Sequence, residues 1–271
     1  MMNRGSQKQI HLVLIDALNL IRRIEGGLHG IPNQSSIDGA QLLNLTHQAL
    51  RKIIRGHQPS HLIAVFDGDG HNWRKQLYPQ YKENRKPMNN ELLQLLPKLK
   101  QSWQALGIGI YEPKHDEADD VIATFSTKVL QHNQKNKCTI ISTDQGYLQL
   151  LPHGIAIWDH FKQQWIDNAF SLQKFQVESN QLLDYWAIVG QSGNKIPGVS
   201  GLGPKAALSL LTQYGSLANA FKSNQENEPK QLKKLKENIA QAQLSYRLVR
   251  FKKDIELGTS LSEYKFSLKG A

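Results

Sequence analysis

The chain has 271 residues, 39% of them hydrophobic and 21% charged, the balance of a globular protein that can bury a sizeable core. Lys and Arg number 33 against 23 Asp and Glu, so the formal net charge is +10, which favours a polyanionic partner, either nucleic acid or an anionic membrane surface. The single cysteine, Cys138, excludes an internal disulfide framework and a cysteine-built zinc site. No apolar run reaches the ~20 residues of a membrane span, and residues 1–9 lack the apolar stretch of a secretory signal. The expectation is a soluble, cytoplasmic protein without membrane contact.

In chain order, residues 10–15 (IHLVLI) form a short apolar run that stops at Asp16. A helical pattern over 41–55 follows, then the run 62–66 (LIAVF), which stops at Asp67. Helical patterns over 91–106 and 118–131 flank a weaker strand signal at 107–111. Residues 139–141 lead to Asp144, and 155–158 stop at Asp159. Strand-length runs alternating with helices predict an α/β fold, a mostly parallel sheet with helices on both faces, over residues 8–166. Beyond about 166 the strand signals vanish. Helical stretches over 181–190, 204–214, 229–242 and 243–251 predict an all-α domain over 167–260.

Ligands in such sheets bind beyond the carboxyl ends of the strands, where Asp16, Asp67 and Asp144 are expected. The densest acidic cluster, Glu117-Ala118-Asp119-Asp120, opens a helix. Glu117 and Asp120, three apart, share one face, and Asp119 points elsewhere around the turn. Acids in a first turn can simply favour the helix dipole, but six carboxylates gathered without a cation would raise one another's pKa values. A divalent metal such as Mg2+ resolves that conflict.

Two stretches hold the basic excess. Residues 71–100 carry seven Lys/Arg against two acids, with Trp73, Tyr78 and Tyr81 interleaved, a pattern that suits single-stranded nucleic acid. Residues 220–253 carry nine Lys/Arg against three Glu. In residues 196–205, Gly201 and Gly203 permit close backbone approach, Pro204 suits a first helical position, and Lys205 adds charge beside free N–H groups, a phosphate-binding arrangement.

The segments LIDALNLIRR (14–23), VFDGDGHNWRKQLYPQYKENRKPM (65–88), EADDVIATFS (117–126), STDQGYLQLL (142–151) and IPGVSGLGPKAA (196–207) together resemble the 5′ nuclease family. That family includes the 5′→3′ exonuclease domain of DNA polymerase I and the flap endonucleases, and the resemblance is closest to its stand-alone bacterial members. It implies a PIN-like 5′ nuclease core followed by a helix–three-turn–helix domain. The activity implied is Mg2+-dependent hydrolysis of DNA with 5′ flaps or single-strand/duplex junctions, by a monomer. The implied metal ligands are Asp119 foremost, then Asp16, Asp67, Glu117, Asp120 and Asp144. Lys82 and Arg85 match a basic pair that positions the scissile phosphate, within an arch spanning about 71–100. Arg74 matches another basic arch position, and Tyr81 lies beside it as a DNA contact. Gly201, Leu202, Gly203, Pro204, Lys205 and Ala206 match the turn that grips duplex phosphates. A K+ ion held by the carbonyls of Ile188, Val189, Pro197, Val199 and Leu202 is implied as well.

The chain departs from the family where two-metal members carry three further acids. The matching positions are Gly146, Gln191 and Asn194. One ion is expected to be held directly by protein, and a second through waters, through substrate phosphate, or not at all. An active flap endonuclease and a branched-DNA-binding protein with weak or lost hydrolysis both fit this pattern. A PIN-like ribonuclease shares the acidic half, and the phosphate-gripping second domain counts against it.

Overall fold

A computed structural model describes residues 9–28 and 38–267. The stretch read for a secretory signal lies almost wholly outside them. The order is β1 (His11–Asp16), α1 (Ala17–Leu28), α2 (Gly39–His57), β2 (His61–Val65), α3 (Trp73–Leu77), α4 (Asn90–Ala105), β3 (Gly109–Tyr111), α5 (Ala118–His132) and β4 (Lys137–Ile141). A 3-10 segment (Gln145–His153) leads to β5 (Ala156–Asp159), β6 (Gln164–Ile166) and α6 (Asn168–Phe175). The remainder is helical: α7 (Leu182–Val189), α8 (Pro204–Tyr214), α9 (Leu217–Lys222), α10 (Lys230–Glu237) and α11 (Ile239–Val249).

The sheet runs β3-β2-β1-β4-β5-β6 and is parallel throughout except for the edge strand β6, which pairs antiparallel with β5. The expected fold class is therefore the observed one. Along β1 the side chains alternate: Leu12 and Leu14 enter the core with α5, while Val13 and Ile15 enter the core with α1, α2 and α4. All four are fully buried, and each adds about 1.5–3 kcal/mol of apolar burial. Burial on both faces is why the run reads as continuously apolar.

The apolar cluster on the α5 face continues without a break into α7, α8 and α11, so the helical part is set firmly against the sheet. Gln149 ties the 3-10 segment to the end of α11: its Oε1 accepts from the Phe251 N–H (2.9 Å) and its Nε2 donates to the Val249 carbonyl (3.2 Å). The helix break expected at 242/243 falls instead at Asn238. Its backbone leaves helical geometry (φ −117°, ψ 30°) while its Nδ2 bonds the Lys234 carbonyl. The amide thus ends α10 itself. No helix among the described residues is long and apolar enough to cross a membrane.

Candidate active site

The chain moves outward from β1 through β2 to β3 and then returns to the other side of β1 at β4. The strand order therefore reverses between β1 and β4, where such sheets form their ligand crevice. Asp16 is the last residue of β1, Asp67 follows β2, and Asp144 follows β4. Three adjacent parallel strands deliver the three acids to one end of the sheet. The N-terminus of α5 is fixed at the same end, because Asp67 Oδ1 accepts the Ala118 N–H (2.8 Å).

Asp16, Asp67, Asp119 and Asp144 line one cavity of about 260 Å³, with Lys82 and Arg85 on its wall. Asp16 is buried and accepts from Ser142 Oγ (3.0 Å) and the Asn19 N–H (3.2 Å). Half-buried Asp119 accepts from the Tyr147 hydroxyl (2.8 Å). Burial first, and then the charges of Asp67 and Asp144, push the Asp16 carboxyl up to about 7. Burial and the neighbouring Asp144 raise Asp119 well above the carboxylate range, against the pull of Lys82. The same surroundings raise the phenol of buried Tyr147, so it serves as a hydrogen-bond donor.

Glu117 and Asp120 are not in this cavity, which corrects the expectation that six carboxylates surround one ion. They lie behind it, against cations from the stretch 71–100. Arg74 is 1% exposed; its Nη1 bonds Glu117 Oε2 (2.7 Å), and it grips fully buried Asp120 with both terminal nitrogens (2.7 and 2.8 Å). Trp73 Nε1 (2.8 Å) and the Lys252 N–H (3.0 Å) complete the shell of Asp120. Lys82 Nζ reaches Glu117 Oε1 at 2.5 Å. Burial opposes ionisation of Glu117, but Lys82 and Arg74 outweigh it and lower its pKa. Burial likewise opposes the charge of Lys82, and its anionic neighbours outweigh that and raise its pKa.

This arrangement corrects two expected DNA contacts. The Arg74 guanidinium is buried on acids and on the Leu248 and Arg250 carbonyls (2.8 and 3.0 Å), so it does not face solvent. Tyr81 is 3% exposed with its hydroxyl on Glu117 (3.2 Å), so its ring offers no stacking platform. Trp165 is 53% exposed beside Trp158 and His57. Asn19, Arg22 and Arg23 line the acidic cavity and were not singled out from sequence. Their signal is the spacing from Asp16 along α1, which places Asn19 and Arg22–Arg23 one and two turns beyond the strand end.

Gly146, Gln191 and Asn194 do meet beside Asp119 and Asp144, around a cavity of about 30 Å³. Asn194 Nδ2 bonds Gln191 Oε1 (2.9 Å), and Arg85 Nη2 bonds Asn194 Oδ1 (2.9 Å). A Cβ on Gly146 would stand 2.8 Å from Phe251 Cζ.

The turn between α7 and α8 is tightly folded. Gly190 and Gly198 have φ of +77° and +66°, and a Cβ on Gly198 would meet the Val189 carbonyl carbon at 2.5 Å. The Ile188 carbonyl accepts the Val199 N–H (2.7 Å), and the Val199 carbonyl accepts that of Leu202 (3.0 Å). Pro197 lies on the other side of this close approach. Leu202 is buried, whereas Gly201, Gly203, Pro204 and Lys205 are exposed and Ala206 is half-buried. A Cβ on Gly201 would run into the Lys234 ammonium, which places a further cation at this turn.

The oxygen-only donors of the acidic cavity suit a hard divalent cation, and the raised carboxyls of Asp16 and Asp119 show negative charge in need of one. Among the described residues no three His, Cys, Asp or Glu side chains form a closed ligand set. An ion here would complete its shell with water and phosphate oxygens.

The N-terminal resolvase-like domain of 5′-3′ exonucleases matches residues 11–176, and their C-terminal SAM fold matches residues 177–270. The chain is 44% identical over 266 residues to a protein of Aeromonas hydrophila subsp. hydrophila named flap endonuclease Xni, covering 96% of this chain and 97% of that one. A Vibrio cholerae protein of the same name is 43% identical, with 97% and 99% covered. Among solved structures, T5 5′-exonuclease with bound divalent zinc ions superposes with a TM-score of 0.72 at 18% identity, covering 88% of this chain and 89% of that one.

Proposed function

The chain belongs to the 5′-3′ exonuclease family, and on that premise we propose that it is a Mg2+-dependent flap endonuclease, cutting DNA at the base of a 5′ single strand. One observation carries the reading: four aspartates converge on a cavity whose wall also presents Lys82 and Arg85. A divalent ion bound there would activate the attacking water and the phosphate oxygens as a Lewis acid. Asp119 is the foremost ligand, with Asp16, Asp67 and Asp144 around it. Tyr147 and Ser142 aim the oxygens of Asp119 and Asp16 through their hydroxyls. As water adds to phosphorus and a P–O bond breaks, Lys82 and Arg85 offset the charge that develops on the phosphate oxygens. Lys82 stays protonated for this task because Glu117 is beside it.

In this reading residues 8–166 hold the chemistry, and 167–260 hold the duplex through the exposed N–H groups around Gly201–Ala206 and through Lys205. A K+ ion on the carbonyls of Ile188, Val189, Pro197, Val199 and Leu202 would stiffen that turn. The protein works as a cytoplasmic monomer. The test is cleavage of a labelled 5′-flap duplex across a Mg2+ titration. Asp119→Asn is expected to lose on the order of 10²-fold or more in rate, and equal rates for variant and wild type would remove the assignment.

A second reading rests on the carboxylate-free trio Gly146, Gln191 and Asn194. It makes the chain a branched-DNA-binding protein whose hydrolysis is weak or lost. Salt-sensitive flap binding without cleavage at any Mg2+ or Mn2+ concentration would establish it over the first.

A further inference from the structure

Toward the far end of α5 from the acidic cavity lies a second cavity of about 870 Å³. Arg247, Arg250, Lys252 and Lys253 line it, and Asp254 is the one carboxylate among its lining residues. Arg247, Arg250 and Lys253 make no salt bridge among the described residues. The Lys253 ammonium rests instead on neutral His153 Nε2 (2.7 Å), and Lys252 Nζ sits 5.2 Å from the centre of the Trp73 ring. The cations are at one another's expense: burial and Arg250 lower the Lys253 pKa, and burial and Lys253 lower that of His153. Ile155 and Phe251 add an apolar wall.

Four cations facing one carboxylate across a roomy space call for an anion of several charges. Apolar and aromatic walls between the charges suit a ligand that alternates phosphates with sugars and bases. We propose that this cavity binds a short run of single-stranded nucleic acid, at a place separate from the acidic cavity. The choice of a strand over a free nucleotide, which shares the phosphate chemistry, rests on the proposed DNA substrate. The cavity also adjoins that machinery, since the Lys252 N–H bonds Asp120 and the Arg250 carbonyl bonds Arg74.

The test is fluorescence anisotropy of the full chain with a labelled oligothymidylate of about eight nucleotides, in EDTA so that cleavage plays no part. The variant is Arg247→Glu/Arg250→Glu, both exposed. It is expected to bind at least tenfold more weakly, with a salt slope shallower by about 1.4, the value for two single-strand phosphate contacts. A control reversal on α2, Arg51→Glu/Lys52→Glu, also exposed, is expected to change affinity by less than twofold. Unchanged binding by the cavity variant, or an equal loss in both variants, overturns the proposal. Thymidine monophosphate displacing the oligomer at equal concentration would also overturn it, in favour of a nucleotide pocket. If the charge reversal prevents folding, Arg247→Gln/Lys253→Gln must show the same direction of change. Flap cleavage by the wild type is scored separately, so failure of the nuclease reading is not confused with failure of this one.

Discussion

Replacing Arg74 with Met tests the buried ionic frame behind the cavity. Arg74 is 1% exposed and Asp120 fully buried, joined by two bonds of 2.7 and 2.8 Å, with Glu117 on the same guanidinium at 2.7 Å. Met fills much of the volume but leaves buried Asp120 without its cation. Breaking a buried pair from one side costs about 3–5 kcal/mol, chiefly because a charge stays buried alone. In a chain of this size each kcal/mol lowers the melting temperature by about 2 °C, so a fall of ~6–10 °C is expected by circular dichroism at neutral pH. Glu117 keeps Lys82 and contributes less. Adding Asp120→Asn removes the orphaned charge and keeps one acceptor oxygen, enough for either Trp73 Nε1 or the Lys252 N–H, which bond different oxygens of Asp120, and the double variant should regain part of the loss. A single variant that loses under about 1 kcal/mol, or a double variant no more stable than the single, would refute the reasoning.

The Asp16 carboxyl, held near 7, is protonated more readily in the folded chain than in the unfolded one, where ~3.9 applies. Its contribution is fully present below about pH 4 and is lost as pH rises through 7, so the metal-free chain should lose stability over that window. Urea midpoints at pH 5 and pH 8 in EDTA check this, with Asp16→Asn expected to flatten the dependence and added Mg2+ to reverse it. Glu117 has the opposite sign: its pKa is lowered, so its contribution is present above the ordinary glutamate range and fades on acidification below it. Gly146→Asp is expected to destabilise by about 1–3 kcal/mol, because Phe251 Cζ stands 2.8 Å from the new Cβ. Pairing it with Phe251→Ala should restore room for the carboxylate, read as a rise in bound Mn2+ by calorimetry; a single variant as stable as wild type would contradict the close contact. Gly201→Ala forces a side chain into φ +71° and against Lys234. A loss of about 1–2 kcal/mol and weaker duplex binding are expected, with melting and anisotropy as the measurements.

The centre of the sheet was legible because β1, β2 and β4 are buried on both faces and so read as unbroken apolar runs. The strand order was not in the sequence pattern, although it is the order β2-β1-β4 that sets Asp67, Asp16 and Asp144 side by side. Edge strand β6 escaped notice because only Ile166 of its three residues is buried, too short for a period to register. Arg22 and Arg23 carry no clear signal in the sequence because α1 begins at Ala17, directly after β1 ends at Asp16, with no turn between them to mark a helix start. The aromatics of the stretch 71–100 looked like base platforms because spacing cannot tell a ring turned toward solvent from one turned inward. Tyr81 packs on the core and Trp73 bonds Asp120.

The cluster Glu117-Ala118-Asp119-Asp120 shows how far helical phase reaches and where it stops. At about 100° per residue, 117 and 120 fall on one face and 119 on another, as the sequence predicts and as the structure has it. Phase alone does not say which face meets which neighbour. Asp119 turns to the cavity where Asp16 and Asp144 crowd beside Lys82 and Arg85; Glu117 turns to Arg74 and Lys82, and Asp120 to Arg74, where acid and cation pair. The basic stretch therefore has two uses that its composition cannot separate. Part of its charge neutralises the back of α5, Lys100 pairs with Glu112 (2.6 Å), and Arg85 is exposed. A chain that kept Glu117 and Asp120 but lost Arg74 would leave Glu117 with Lys82 alone and buried Asp120 with no salt-bridge partner among the described residues. Residue 74 and the pair 117 and 120 are thus bound to change together, and substituting either side alone should cost more than substituting both.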